Sequence, residues 1–160
     1  MLKTMIDVPE KTREAVNKVL QASLVDTLDL ALQAKQAHWN VKGLNFLMIH
    51  ELFDETASEL HGFADDLAER IATFGGSPVG TSNGIAETSR LPKYPTDIHG
   101  WKAHVETFSK ALAALAKSTR AAIDETAQLG DAGTADLYTG MSRALDKRLW
   151  FLESHLHEGK

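Results

Sequence analysis

Cysteine is absent, which excludes disulfides, thiolate-bound zinc and iron–sulfur clusters, so any metal site must use His, Asp, Glu or backbone oxygen. The redox character of the compartment is left unmarked. No run of apolar residues approaches the roughly 20 needed to span a membrane. Lys3, Asp7, Glu10, Lys11, Arg13 and Glu14 occupy the region where a signal peptide needs an apolar core. A cytoplasmic chain with no membrane partner is expected. Positive charge is not in excess either: 17 Lys and Arg against 22 Asp and Glu leave a net charge of −5. A pI near 5.8 argues against a broadly basic surface able to neutralise DNA phosphates. What is present is 160 residues at 43% hydrophobic, enough for one domain over 1–160 with a sizeable core.

Strand signals are nearly missing, whereas Ala, Leu, Glu, Lys and Gln dominate and apolar residues recur at spacings of three and four. A short tail over 1–8 leads to Pro9, which suits a first helical turn. Val16, Val19, Leu20, Leu24, Leu28, Ala31, Leu32 and Ala34 then define a first amphipathic helix, ending before Val41-Lys42-Gly43. Asn45 is the expected N-cap of a second helix, with Phe46, Ile49, Phe53, Leu60, Ala64, Leu67 and Ile71 on its core face and Gly75-Gly76 as its stop. From 77 to 95 the composition turns to Gly, Ser, Thr, Asn and Pro, with a short helical turn around Asn83 to Ser89. Thr96-Asp97 is expected to open a third helix through Trp101, Val105, Phe108, Leu112, Leu115 and Ile123, ending near Gly130. Asp131 to Asp136 starts a fourth, through Leu137, Tyr138, Met141, Leu145, Leu149, Leu152 and Leu156 to Gly159. The expected fold is all-α: a ferritin-like four-helix bundle with one long crossover that carries a short extra helix.

The second helix is crowded with metal-capable side chains. At about 100° per residue, and taking His50 as zero, Asp54 falls near 40°, Asp65 near 60° and Glu69 near 100°, along one edge of the core face. Glu51, Glu55, Glu59 and Asp66 form a second acidic band beyond it. His50/Asp54 and Asp65/Glu69 are each spaced i, i+4, so each pair can approach one ion from one helix face. Asp54 and Asp65 are separated by a rise of about 16 Å, however, while metal ligands lie about 2 to 2.5 Å from their ion. The pairs can cooperate only if a second copy of the helix runs antiparallel past the first, as in a two-fold dimer with two identical sites. His38, at the end of the first helix, can supply a further imidazole. His61, Asp65 and Glu69 also run i, i+4, i+8 and could make a site within one chain. The within-bundle di-iron signature, Glu-x-x-His on two helices, occurs nowhere. Imidazole and carboxylate suit iron(II), and also zinc or manganese.

The stretch Lys35-Gln36-Ala37-His38-Trp39-Asn40-Val41-Lys42-Gly43, followed by Asn45-Phe46, His50-Glu51-x-x-Asp54 and Asp65-x-x-x-Glu69-Arg70 before Gly75-Gly76, resembles the Dps family of mini-ferritins. Tyr94-Pro95, Thr134-Ala135-Asp136 and Leu145-Asp146-Lys147-x-x-Trp150-Phe151-x-Glu153-x-His155 are similar to that family too. The resemblance implies a hollow dodecamer built from two-fold dimers. It implies ferroxidase sites between subunits, with His38, His50 and Asp54 from one chain and Asp65 and Glu69 from its partner. Such sites bind iron(II), up to two ions each, and oxidise it preferentially with hydrogen peroxide, the ferric product being stored as mineral; zinc competes for the same donors. The resemblance further implies that Trp39 stands beside the site, that Glu51 and Glu55 face the cavity and seed mineral, and that Asp136, with Asp131 near it, lines a cation pore.

Two other readings follow from the same residues. A nucleoid-associated protein that protects DNA by coating it would need accessible basic charge, but Lys3, Lys11, Arg13 and Lys18 are interleaved with acids, as is the ending Glu158-Gly159-Lys160, so DNA binding through such tails is not expected. A purely structural bundle would carry the acidic stripe as a solvated face.

Overall fold

The structure, a computed structural model, describes residues 1–157. The expected ending at Glu158-Gly159-Lys160 lies outside the described residues. Five helices follow one another: α1 (Glu10–Asn40), α2 (Phe46–Thr73), α3 (Ser82–Thr88), α4 (Trp101–Gln128) and α5 (Ala132–Ser154). There is no strand among the described residues. The long helices α1, α2, α4 and α5 form the bundle, with α1 packed on α2, α4 on α5 and α1 on α4. Short corners join α1 to α2 and α4 to α5, and the crossover from α2 to α4 carries α3, which rests on α1.

Several boundaries have an identifiable cause. Pro9 ends the tail and its carbonyl accepts from Arg13 N at 3.0 Å. Buried Arg13 donates to the carbonyls of Val8 and Phe74, at 3.0 and 2.9 Å, tying the start of α1 to the end of α2. Gly75, at φ +80, stops α2, and its carbonyl accepts from Leu2 N at 2.7 Å. A Cβ there would lie 2.4 Å from the Leu2 carbonyl oxygen, so the N-terminal segment docks against a position that only glycine can fill. The crossover is fixed to α1 by buried Asp26, which accepts from Arg90 N at 2.9 Å and pairs with the Arg90 guanidinium at 2.7 Å.

Two helix starts differ from expectation. Asn45 does occupy the N-cap position of α2, but at φ 59 it turns the corner in the left-handed conformation and makes no side-chain cap bond. Thr96 and Asp97 open nothing, because α4 begins at Trp101, whose N–H donates to the Lys42 carbonyl at 2.9 Å. That long-range bond places the helix start at the α1–α2 corner, after Gly100 at φ +82.

The core runs the length of the bundle and includes Leu20, Leu30, Ile49, Phe53, Leu60, Leu67, Phe74, Phe108, Leu112, Leu115, Tyr138 and Met141, each less than 2% exposed. Phe53 of α2 meets Phe108 of α4 edge to face at 5.4 Å, and the Tyr138 hydroxyl donates to Ser23 Oγ at 2.9 Å. Leu32 and Phe46, expected in the core, are instead 54% and 44% exposed.

Candidate metal centre at an open helix edge

His38 closes α1 and His50 lies one turn into α2, so the corner folds the two imidazoles together. Their rings stack with centroids 3.6 Å apart and planes 21° from parallel. Each ring Nδ1 lies 2.8 Å from the other residue's main-chain carbonyl oxygen. A carbonyl can only accept, so both Nδ1 atoms carry hydrogen, and in the neutral rings both Nε2 atoms hold a free lone pair. Locking the remote nitrogen in this way is what prepares histidine to ligate a metal through Nε2. Phe46, tilted 5.1 Å from the His50 ring, backs the pair.

Asp54, one turn further along α2, is exposed and forms an ion pair with Lys35 of α1 at 2.5 Å. The hydrogen bond from Lys35 is the main cause of a carboxyl pKa held below its usual range. Asp65 and Glu69 are also exposed, with no ion pair or hydrogen bond to another side chain among the described residues. Nowhere among the described residues do three His, Asp or Glu side chains come together in a metal-binding group. The five predicted ligands thus fall into two separated half-sets, His38 of α1 with His50 and Asp54 of α2 and, further along α2, Asp65 with Glu69, and the fold of a single chain does not join them.

The edge that carries them is otherwise apolar. On α1, Leu28, Leu32, Lys35 and Trp39 recur at i, i+4, i+7 and i+11, and on α2 Leu47 shares the stripe of His50 and Asp54. Leu32, Trp39 and Leu47 are large apolar side chains left exposed, Trp39 at 66%. Lys35 Nζ lies 5.9 Å from the Trp39 ring, so Trp39 belongs to the surface around Asp54. An exposed apolar frame around two incomplete ligand half-sets is the character of a surface that a second protein face covers.

The other predicted positions are placed differently. Glu51 is exposed beside a cleft that it shares with Met48, Trp150 and His155. Glu55 and Glu59 both receive Arg148 of α5, at 2.9 and 2.7 Å, which neutralises part of the acidic band. Asp136 is exposed on the second turn of α5. Asp131 does not share that situation: it is buried, 4% exposed, and N-caps α5 through Thr134 N. It also takes the Thr134 hydroxyl and both of its oxygens accept from Arg70 Nη2, at 2.9 and 3.1 Å. Arg70 in turn lies 4.1 Å over the Phe74 ring. A carboxylate so fully engaged has no free lone pair to offer a passing cation, which removes Asp131 from the expected pore lining.

Sequence reasoning missed Lys35, Arg148 and the Arg70 fork as partners of the acidic groups. Lys35 and Arg70 both stood inside the quoted motifs, so the signal was there. The α2–α5 pairing that brings Arg148 to Glu55 and Glu59 had no local signal at all.

The ferritin-like domain family model matches residues 17–160. The chain is similar to the DNA protection during starvation protein of Agrobacterium fabrum, 41% identical over 156 residues that cover 98% of this chain and 96% of that one. Its structure is similar to that of Mycobacterium smegmatis Dps in a tetragonal form, with TM-score 0.94 and 32% identity over 99% of this chain and 96% of the other. It is similar also to DpsC from Streptomyces coelicolor, with TM-score 0.94 and 28% identity over 99% and 93% of the two chains. With its long crossover, its open ligand edge and these likenesses over nearly the whole length, the chain belongs to the Dps family of ferritin-like proteins.

Proposed function

We propose that this chain is an iron-storing ferroxidase that works as an assembly of two-fold dimers. His38, His50 and Asp54 of one subunit and Asp65 and Glu69 of its partner bind iron(II), giving two sites per dimer. The observation that carries the reading is the reciprocal His38–His50 lock, two imidazoles aimed by main-chain carbonyls beside the exposed Asp54 carboxylate, with a complementary pair on α2 that cannot reach them within one chain. The donor set is borderline and oxygen-rich, which suits iron(II) and lets zinc compete.

The substrates are iron(II) and hydrogen peroxide. Two iron(II) ions give one electron each to one peroxide; the O–O bond breaks, two protons are taken up and two waters leave. Holding both ions together means that no single-electron step releases a hydroxyl radical. Before iron can use Asp54, the Lys35 ammonium must move aside. Ferric product then hydrolyses in the interior of a dodecameric shell, where Glu51, being free of Arg148, is a stronger nucleation point than Glu55. Asp136 lines the entry pore. Trp39, exposed beside the site, intercepts stray oxidising equivalents.

The assembly acts in the cytoplasm, and no helix among the described residues is long and apolar enough to cross a membrane. DNA is protected on this reading by removal of iron and peroxide. Coating of the duplex is not favoured, because the chain is acidic and its N-terminal segment docks back on the fold through Leu2 and Gly75.

The test is anaerobic addition of iron(II) to metal-free protein followed by hydrogen peroxide, with ferric absorbance and peroxide consumption recorded and the run repeated in air. Rapid oxidation by peroxide, at about one peroxide per two irons, and slow oxidation in air are expected. Oxidation no faster than in protein-free buffer would overturn the reading.

A further inference from the structure

We propose that His61 and its copy in the two-fold related subunit form a second kind of metal site, on the dimer axis, for a divalent cation of the imidazole-preferring class typified by zinc. The inference rests on the interfacial reading above. If an antiparallel copy of α2 sets His50/Asp54 against Asp65/Glu69, the two-fold axis crosses the helix midway between the two pairs, between Glu59 and Leu60. His61 lies within two residues of that point. At about 100° per residue it falls near 20° from His50, between His50 and Asp54 on the ligand stripe. The residue set opposite it across the axis is Ser58, also on the stripe at about 80°.

The spacing fits one shared ion. The two His61 residues are offset along the helices by three residues, about 4.5 Å at 1.5 Å each. Helices pack about 8–10 Å apart and carry their Cα atoms at a radius of about 2.3 Å, leaving about 3.4–5.4 Å between facing Cα atoms. The two Cα atoms are then about 6–7 Å apart, a span over which two imidazoles can converge on one ion at about 2.0–2.1 Å from each nitrogen. Ser58 hydroxyls and water complete the coordination.

The state of His61 within one chain supports this assignment. The side chain is exposed, and among the described residues neither ring nitrogen is engaged, in contrast to His38, His50 and His104, whose Nδ1 atoms are all hydrogen-bonded. It borders a cleft with Asp65, Leu24, Leu28 and Pro78, on the edge where the apolar frame awaits a partner. The charged neighbours on its stripe, Asp54, Asp65 and Glu69, are all acidic, and Lys35 is paired with Asp54. Two imidazoles brought together in a negative field attract a cation.

The probe is zinc alone, equilibrated by dialysis with metal-free assembled protein and measured by elemental analysis. His61→Gln is expected to lose about half an equivalent of zinc per chain, one ion for each two-fold axis, while iron oxidation and assembly stay as in the unmutated protein. The double variant His50→Ala/Asp54→Ala is expected to keep that half equivalent and to lose the ferroxidase-site zinc. Separately, His61→Cys is expected to give a disulfide-linked dimer on mild oxidation, which checks the facing geometry without a metal. If the double variant releases zinc and His61→Gln does not, the axis site is wrong and the ferroxidase reading stands. If neither releases zinc and His61→Cys does not cross-link, both fall.

Discussion

Two acidic regions beside α2 make opposite use of the same chemistry. At the α2–α5 end, Asp131 is buried and every acceptor it owns is taken by Arg70, by Thr134 N and by the Thr134 hydroxyl. Along the α1–α2 edge, Asp65 and Glu69 stand in solvent, and Asp54 has one displaceable partner, Lys35. A saturated carboxylate holds a fold together, whereas an unsaturated one beside two pre-aimed imidazoles is a ligand in waiting. Acidity alone does not separate the two cases; the partners do.

The sharpest way to break that contrast is to remove an open group. His50→Ala or Asp65→Ala is expected to slow peroxide-driven iron oxidation by at least about tenfold, with stability and shell size nearly unchanged, as read by stopped-flow absorbance and size-exclusion chromatography. An undiminished rate in either variant would show that the open groups are only a solvated face. Removing a closed group should do the reverse. Asp131→Ala takes away an N-cap and leaves the Arg70 guanidinium unpaired, and it is expected to cost about 2–4 kcal/mol in chemical denaturation while sites that still assemble oxidise iron normally.

The intermediate case sharpens the comparison. Lys35→Met frees Asp54 without touching a ligand, so iron(II) affinity is expected to rise about two- to fivefold, while the loss of an exposed ion pair shifts stability by less than about 0.5 kcal/mol. Anaerobic iron titration by calorimetry reads the first effect and denaturation the second. The smallest effect concerns His104, which is 1% exposed, with Nδ1 2.7 Å from the Tyr94 hydroxyl and Nε2 without a partner. Burial is the main cause of a pKa lowered from 6.5, and His99 adds to it. The unfolded chain then binds a proton that the native state refuses, so the stability this residue contributes is present above 6.5 and is lost as pH falls below it. Replacement His104→Gln is expected to flatten the fall in stability between neutral and mildly acidic pH, as followed by denaturation midpoints.

Much of this was legible in the sequence. The helical period alone put His50, Asp54, Asp65 and Glu69 on one stripe and showed that the stripe cannot close on itself. What escaped depends on contacts that no local pattern encodes. Leu32 and Phe46 fit the apolar period of a core face, yet both are exposed, because a surface meant for a partner carries the same periodicity as a surface meant for the core. Asp131 and Asp136 looked alike as acids at a helix start, where the macrodipole favours negative charge in any case. Only the arrival of Arg70, 61 positions away, distinguishes them. The start of α4 was equally hidden, since a hydrogen bond from Trp101 to Lys42 sets it rather than a capping residue.

The central claim is that each oxidation site is shared between two subunits, and complementation tests it most directly. Subunits carrying His50→Ala/Asp54→Ala are mixed with subunits carrying Asp65→Ala/Glu69→Ala under conditions that reassemble the shell, and peroxide-driven iron oxidation is measured. In a mixed dimer one site collects both defects and the other collects none. Random mixing should therefore restore active sites to about one quarter of the unmutated number, from two parents that are each inactive. No recovery, in assemblies shown to contain both chains, would contradict the shared site.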